Sequence, residues 1–195
     1  MCNNFAFDIL VSGVVLLLTA KQLIEAFNAC FQSDFNTVLM SGADEPLYLP
    51  PTKTHPALLY FRLDYPSSAL HEISHWCIAG DERRKLEDYG YWYEPDTRTE
   101  EQQQLFETVE VKPQAVECLF HWAAGMRFRV SVDNLALPEY DASVFERAVY
   151  EQVKRYLMSG LPQRALTFSQ YLLSMRCSDT DFDRYMNQQY ENNCR

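Results

Sequence analysis

Two histidines stand four residues apart in the stretch HEISH, His71 and His75, with Glu72 directly after the first. On a helix, residues at that spacing project from one face a turn apart, so both imidazoles can offer a ring nitrogen to one cation. Neutral imidazole suits zinc, iron, nickel and copper, and the pair alone does not choose among them. HExxH also occurs by chance in helices that bind nothing, so the pair becomes a site only with a third ligand. Downstream the candidates are His121 and the carboxylates Glu107, Glu110 and Glu117. Glu110 alternates with Val109 and Val111 in VEVKP and so faces away from them, which for an ordinary glutamate means a solvated side chain. His55 stands in a Pro-flanked loop and reads as incidental.

With a carboxylate as third ligand, two enzyme classes use the resulting set. Zinc peptidases employ the glutamate after the first histidine, here Glu72, as the general base that activates metal-bound water. Non-haem iron oxygenases hold their metal on a facial triad that leaves three positions open for dioxygen and substrate. Residue types do not separate the two.

The elements that must position these side chains can be read from periodicity and punctuation. Lys21 to Phe31 has the spacing of an amphipathic helix, and short strands are expected at Asn36–Met40 and Leu47–Leu49 around the Gly42–Pro46 turn. Leu58–Leu63 reads as a strand. Ser67 or Ser68 then caps the helix that carries HEISH, which runs to about Ala79 and stops at Gly80. On that helix Leu70, Ile73 and Cys77 share the core face, and Trp76 either covers the site or belongs to the core. Asp81–Asp88 suggests a further charged helical turn or two, Tyr89–Tyr93 an aromatic loop, and Pro113 the opening turn of a helix to Ala124. Arg127–Val132 alternates as a strand does. Three helices are expected at about 141–159, 163–175 and 179–190. Strands early and helices late imply an α+β domain with a small mixed sheet.

The chain of 195 residues fits one domain, taken here as 21–195, preceded by an apolar extension over 1–20. Ile9–Leu18 is too short to span a membrane as a helix, and no Lys or Arg precedes it as a signal peptide requires. It is expected to pack on the body as a strand or helix, or to be an extension. A net charge of −10 disfavours nucleic acid and anionic lipid and favours a partner carrying amines. Six cysteines scattered singly, with no CxxC pair, read as free thiols of a reducing compartment.

HEISHWCIAG, the following RR, the GYWY loop, VEVKPQA, AAG and SVDNL together resemble the elongation factor P hydroxylases of bacteria. The likeness runs from about Gln22 to Arg164 and includes the earlier DFNT and YLP segments. The resemblance implies a cytoplasmic enzyme that hydroxylates a lysine of elongation factor P after a β-lysyl group has been attached. The modified factor helps ribosomes through consecutive prolines. The metal ligands it implies are His71, His75 and Glu110, with Glu107 the competing carboxylate, and the metal is Fe(II) with dioxygen as oxidant. It further implies an α+β metal-binding fold similar to a bacterial endoribonuclease of ribosomal RNA maturation.

The acidic balance suits a substrate side chain carrying several amines. Tyr91, Trp92 and Tyr93 are candidates to line a slot for its aliphatic stem, and Asp133 is a further substrate-contact candidate. Glu72 stays the candidate catalytic residue, moved from peptidase base toward support of the site or a substrate amine. No Arg or Lys motif identifies a 2-oxoglutarate site. The runner-up reading is a zinc-dependent peptidase or nuclease with Glu72 as base. A non-enzymatic reading is an adaptor that binds a translation factor through the aromatic loop. The segment before Lys21 and the tail after Cys177 fall outside the resemblance.

Overall fold

A computed structural model describes residues 18–88, 98–132 and 140–194. Their order is α1 (Ala20–Phe35), β1 (Thr37–Ala43), β2 (Leu47–Leu49), β3 (Ala57–Arg62), α2 (Pro66–Ile78), α3 (Glu100–Ala123), α4 (Ser143–Ser159), α5 (Gln163–Ser174) and α6 (Phe182–Asn193). The α+β class expected from the sequence is the one observed. Cys30, Cys77, Cys118, Cys177 and Cys194 are all free, as their scatter implied. No helix among the described residues is long and apolar enough to cross a membrane.

Helix α1 starts where Thr19 and Gln22 satisfy each other's backbone N–H groups in a capping box, a device worth about 1 kcal/mol. Its buried face is Leu23, Ala26, Phe27 and Phe31, at helical spacing. Asn36 ends it in the left-handed region, leaving Thr37 to open β1. Strand β3 is central, parallel to β1 and antiparallel to β2. Its Ala57, Leu59 and Phe61 are buried alternately, which fixes its register against the helices.

Helix α2 follows β3 after a short turn. Pro66 stands in its first turn, where a missing N–H costs nothing. No side chain caps it, contrary to the expected role of Ser67 or Ser68. Ser68 Oγ instead accepts a hydrogen bond from the backbone N–H of Arg62, tying the helix to the strand before it. At the other end Arg164 of α5 donates to the carbonyls of Trp76 and Ala79 and lies over the Trp76 ring. Trp76 is core: it packs edge-on against Phe27 and also contacts Phe31. Sheet, α1 and α5 thus fix both the height and the rotation of α2.

Other expectations also fail, two of them for clear physical reasons. Helix α3 does not open at Pro113; it begins at Glu100, capped by Thr99 and Gln102, and Pro113 lies inside it. A proline there removes one backbone hydrogen bond and strains the preceding turn, a cost of about 3 kcal/mol in an isolated helix. Burial offsets it, because every residue from Pro113 to Ala123 is packed away from solvent. Arg127–Val132 is not a strand either. It buries Phe128, but its backbone bonds side chains of α3: Ser131 pairs with Gln114 at both N–H and C=O, and the Val132 carbonyl accepts from Gln103. Asp81–Asp88 forms only a single 3-10 turn, Arg83–Lys85.

After α3 the chain reverses at Gly125, whose φ of 68° favours glycine. The Arg176 guanidinium fills the space where a Cβ would stand, 2.3 Å from that position, and donates to the Ala123 carbonyl and the Tyr185 hydroxyl. Gly125→Ala is therefore expected to destabilise the protein by about 1–2 kcal/mol from backbone conformation alone, and further if Arg176 loses its bonds. Urea unfolding monitored by circular dichroism would show this as a lower midpoint at unchanged slope.

Candidate metal centre

Because α2 packs across α3, the face of α2 that bears His71 and His75 meets a polar stripe on α3. That stripe is Glu110, Gln114, Glu117 and His121, spaced 4, 3 and 4 residues apart on one side of the helix. The Nε2 atoms of His71 and His75 are 3.1 Å apart. Glu110 Oε1 is 3.2 Å from His75 Nε2, and Glu110 Oε2 is 3.8 Å from His71 Nε2. One donor atom from each of the three residues lies within 4.8 Å of the others, the one such group of three among the described residues. Bonds of about 2.0–2.2 Å from nitrogen and carboxylate oxygen to a cation put neighbouring donors roughly 3 Å apart. The donor set therefore fits a divalent ion.

The remaining candidates fall elsewhere. Glu107 points into a separate buried network, accepting hydrogen bonds from Gln103 Nε2 and the Tyr140 hydroxyl. Glu117 lies behind His71, 2.9 Å from Nδ1, on the side of the ring opposite the cluster. His121 is buried, its Nδ1 donating to the Glu117 carbonyl and its ring set against Phe128. His55 sits in an exposed turn with Thr52, remote from the cluster in both sequence and partners. Tyr91, Trp92, Tyr93 and Asp133 lie outside the described residues, as does the apolar run before Leu18.

Glu110 corrects the expectation of a solvated side chain. It is only 2% exposed, held by His75 and by Gln114 Nε2 at 3.4 Å. Gln114 was not singled out in the sequence. Helical periodicity carried through Pro113 would have placed it one turn after Glu110, but a helix opened at the proline separates the two. Gln114 uses its amide fully: Nε2 also donates to the Ser131 carbonyl, and Oε1 accepts from the Ser131 N–H.

The cluster lies in the wall of a cavity of about 760 Å³, which Glu72, Arg62, Arg84, Phe106 and Lys112 also line. Glu72 is half-buried and makes no hydrogen bond or ion pair among the described residues. Burial raises its pKa, opposed by His71 and His75 and reinforced by the carboxylates of Glu110 and Glu117. Burial also raises the Glu110 carboxyl in principle, but the adjacent His75 and His71 and the Gln114 amide hold it down at about 2. Burial works to lower His71, yet the Glu117 carboxylate against Nδ1, with Glu110 and Glu72 nearby, pushes it up to about 10.

Fold and cluster together define an α+β protein with a candidate two-histidine, one-carboxylate metal centre in a cavity wall. The family model of elongation factor P hydroxylase matches residues 26–183. A relative from Haemophilus influenzae, an elongation factor P lysine hydroxylase, is 51% identical over 164 residues, covering 84% of this chain and 92% of its own. The chain belongs to the elongation factor P hydroxylase family. The match reaches beyond Arg164 to the start of α6, so less of the tail stands outside the family than its sequence alone indicated.

The His71 shift has a measurable consequence. Without a cation the ring holds a proton on each nitrogen below about pH 10, and a cation taking Nε2 must displace one. Cation uptake near pH 7 is therefore expected to release a proton, and affinity to fall about tenfold per unit as the pH drops. Calorimetric titration of metal-free protein with Co(II), in buffers of different ionisation enthalpy, measures this directly. Uptake without proton release would contradict ligation by His71.

Proposed function

We propose that this protein hydroxylates the β-lysylated lysine of elongation factor P, with His71, His75 and Glu110 holding Fe(II). The observation that carries the reading is the convergence of these three side chains on a cavity, in a chain 51% identical to an elongation factor P lysine hydroxylase. Fe(II) held in this way supplies the activation of dioxygen that hydroxylation of an unactivated carbon needs. The chain's own residues do the rest. Glu110, kept ionised by its neighbours, balances part of the cation's charge in a site where burial strengthens every charge interaction.

Glu72 has a different task. A carboxylate in the cavity wall with no hydrogen-bond or ion-pair partner among the described residues suits a substrate ammonium group, and a β-lysylated lysine carries more than one amine. Contact with the amine would orient the aliphatic stem and keep the carboxylate compensated on closure of the complex. On chemistry alone, Tyr91, Trp92 and Tyr93 are assigned to the stem and Asp133 to a polar end of the substrate. The net charge of −10 favours approach of a cationic side chain. A substrate that works with ribosomes puts the reaction in the cytoplasm. We further propose that the HEISH helix packed on a small mixed sheet is shared with metal-dependent endoribonucleases, without a nucleic-acid substrate here.

Intact mass spectrometry of β-lysylated elongation factor P, incubated with the protein, Fe(II), air and a two-electron reductant such as ascorbate that carries the second oxygen atom to water, tests the proposal. The expected result is a gain of one oxygen atom, lost with His75→Ala, with Glu110→Ala and without dioxygen. No gain with any reductant, or full turnover by zinc-loaded protein without iron, would overturn it. Glu72→Gln is expected to raise KM for the β-lysylated factor about tenfold or more, from loss of a charged hydrogen bond of roughly 1.5–3 kcal/mol, while Fe(II) binding persists.

A further inference from the structure

Glu117 stands 2.9 Å from His71 Nδ1, closer than any of the three candidate ligands stands to another among the described residues, yet it faces the nitrogen that points away from the other candidate ligands. A carboxylate only accepts, so the proton in this contact belongs to Nδ1 of His71. Once a cation has displaced the Nε2 proton, that assignment leaves the lone pair on Nε2, the atom 3.1 Å from His75 Nε2 and 3.8 Å from Glu110. Glu117 is itself held in place. It is 7% exposed and sits within α3 between the packed neighbours Val116 and Cys118. Its backbone carbonyl accepts from His121 Nδ1 at 3.0 Å, and its Oε1 is 3.9 Å from that same nitrogen.

We infer that Glu117 is a positioning residue that fixes the tautomer and ring plane of His71, so that Nε2 is presented to the cation. The inference rests on the metal-site reading proposed above. One helix thus provides both a ligand, Glu110, and the group that orients a ligand on the facing helix. A carboxylate behind a metal-bound histidine raises the basicity of the ring and commonly accounts for 10–100-fold in metal affinity. The three-residue step from Gln114 to Glu117 carries α3 from the group that steadies the Glu110 carboxylate to the group that steadies the His71 imidazole.

The test uses the full chain, freed of metal and titrated with Co(II), for wild type, Glu117→Ala and Glu117→Gln. The d–d absorption reports ligand geometry, and the hyperfine-shifted, exchangeable ring N–H signals report the bond at Nδ1. Wild type is expected to bind and to show a slowly exchanging His71 Nδ1–H resonance. In Glu117→Ala affinity is expected to fall about 10–100-fold, with a changed absorption band and loss of that resonance to solvent exchange. Glu117→Gln keeps the volume and an acceptor oxygen but not the charge, so its affinity should fall between the two and its resonance should shift.

Should Glu117→Ala fail to fold by circular dichroism, Glu117→Gln decides alone: wild-type affinity together with an unshifted resonance would overturn the inference. Wild-type affinity and spectra in a folded Glu117→Ala would overturn it as well, while leaving the metal site standing. A wild type that takes up no Co(II) would overturn both the inference and the metal reading beneath it.

Discussion

Helix α3 has no solvent face between Pro113 and Ala123, and everything at the candidate centre depends on how its polar residues are accommodated there. A helix buried on all sides usually carries apolar side chains throughout. This one buries Glu110, Gln114, Glu117 and His121 along the side that meets α2 and the 127–132 segment. Unpaired, each would cost a kilocalorie or more, and an unpaired carboxylate far more. The packing is tolerable because each finds a partner: Glu110 with His75 and Gln114, Gln114 with Ser131, Glu117 with His71, and His121 with a carbonyl. Four residues that an apolar interface would reject thereby become the reason that the two helices meet in one register.

The same arrangement explains the electrostatics. Glu72, Glu110 and Glu117 face two imidazoles in a partly enclosed cavity, so negative charge exceeds what the histidines neutralise in their uncharged form. In the absence of a cation the imbalance is relieved by a proton, which accounts for the high pKa of His71. A divalent ion relieves the same imbalance more completely. Glu72, half-buried, adds a third carboxylate to a cavity wall that also carries Arg62, Arg84 and Lys112.

Around this centre the rest of the fold acts as a clamp. The central strand β3 delivers α2 through a turn fastened by Ser68 and Arg62, while Arg164 holds the far end of α2 to α5. The aromatic cluster of Phe27, Phe31 and Trp76 sets the rotation of α2, since Trp76 directly follows His75 and stands about 100° from it around the helix. Beyond the cluster, the network of Arg98, Gln103 and Tyr140 takes up Glu107, one turn before Glu110 on α3. That separate role is why Glu107, though one turn from Glu110, is not a competing donor at the centre.

By itself the sequence determined the helix bearing HEISH, the pairing of His71 with His75, the α+β class and the family resemblance. These rest on local spacing or on strings of residues, and neither needs the rest of the chain to be folded. Its local rules failed where long-range burial outweighed them. Pro113 marks a helix start by propensity, but the packing on both sides of α3 carries the helix through it. Arg127–Val132 has the alternation of a strand, but amide side chains of α3 take the hydrogen bonds that a neighbouring strand would have supplied. Choosing among Glu107, Glu110, Glu117 and His121 lay beyond local pattern altogether. All four belong to one helix, and only the crossing of α2 over α3 decides which oxygen faces Nε2, which stands behind Nδ1, and which lies in another network.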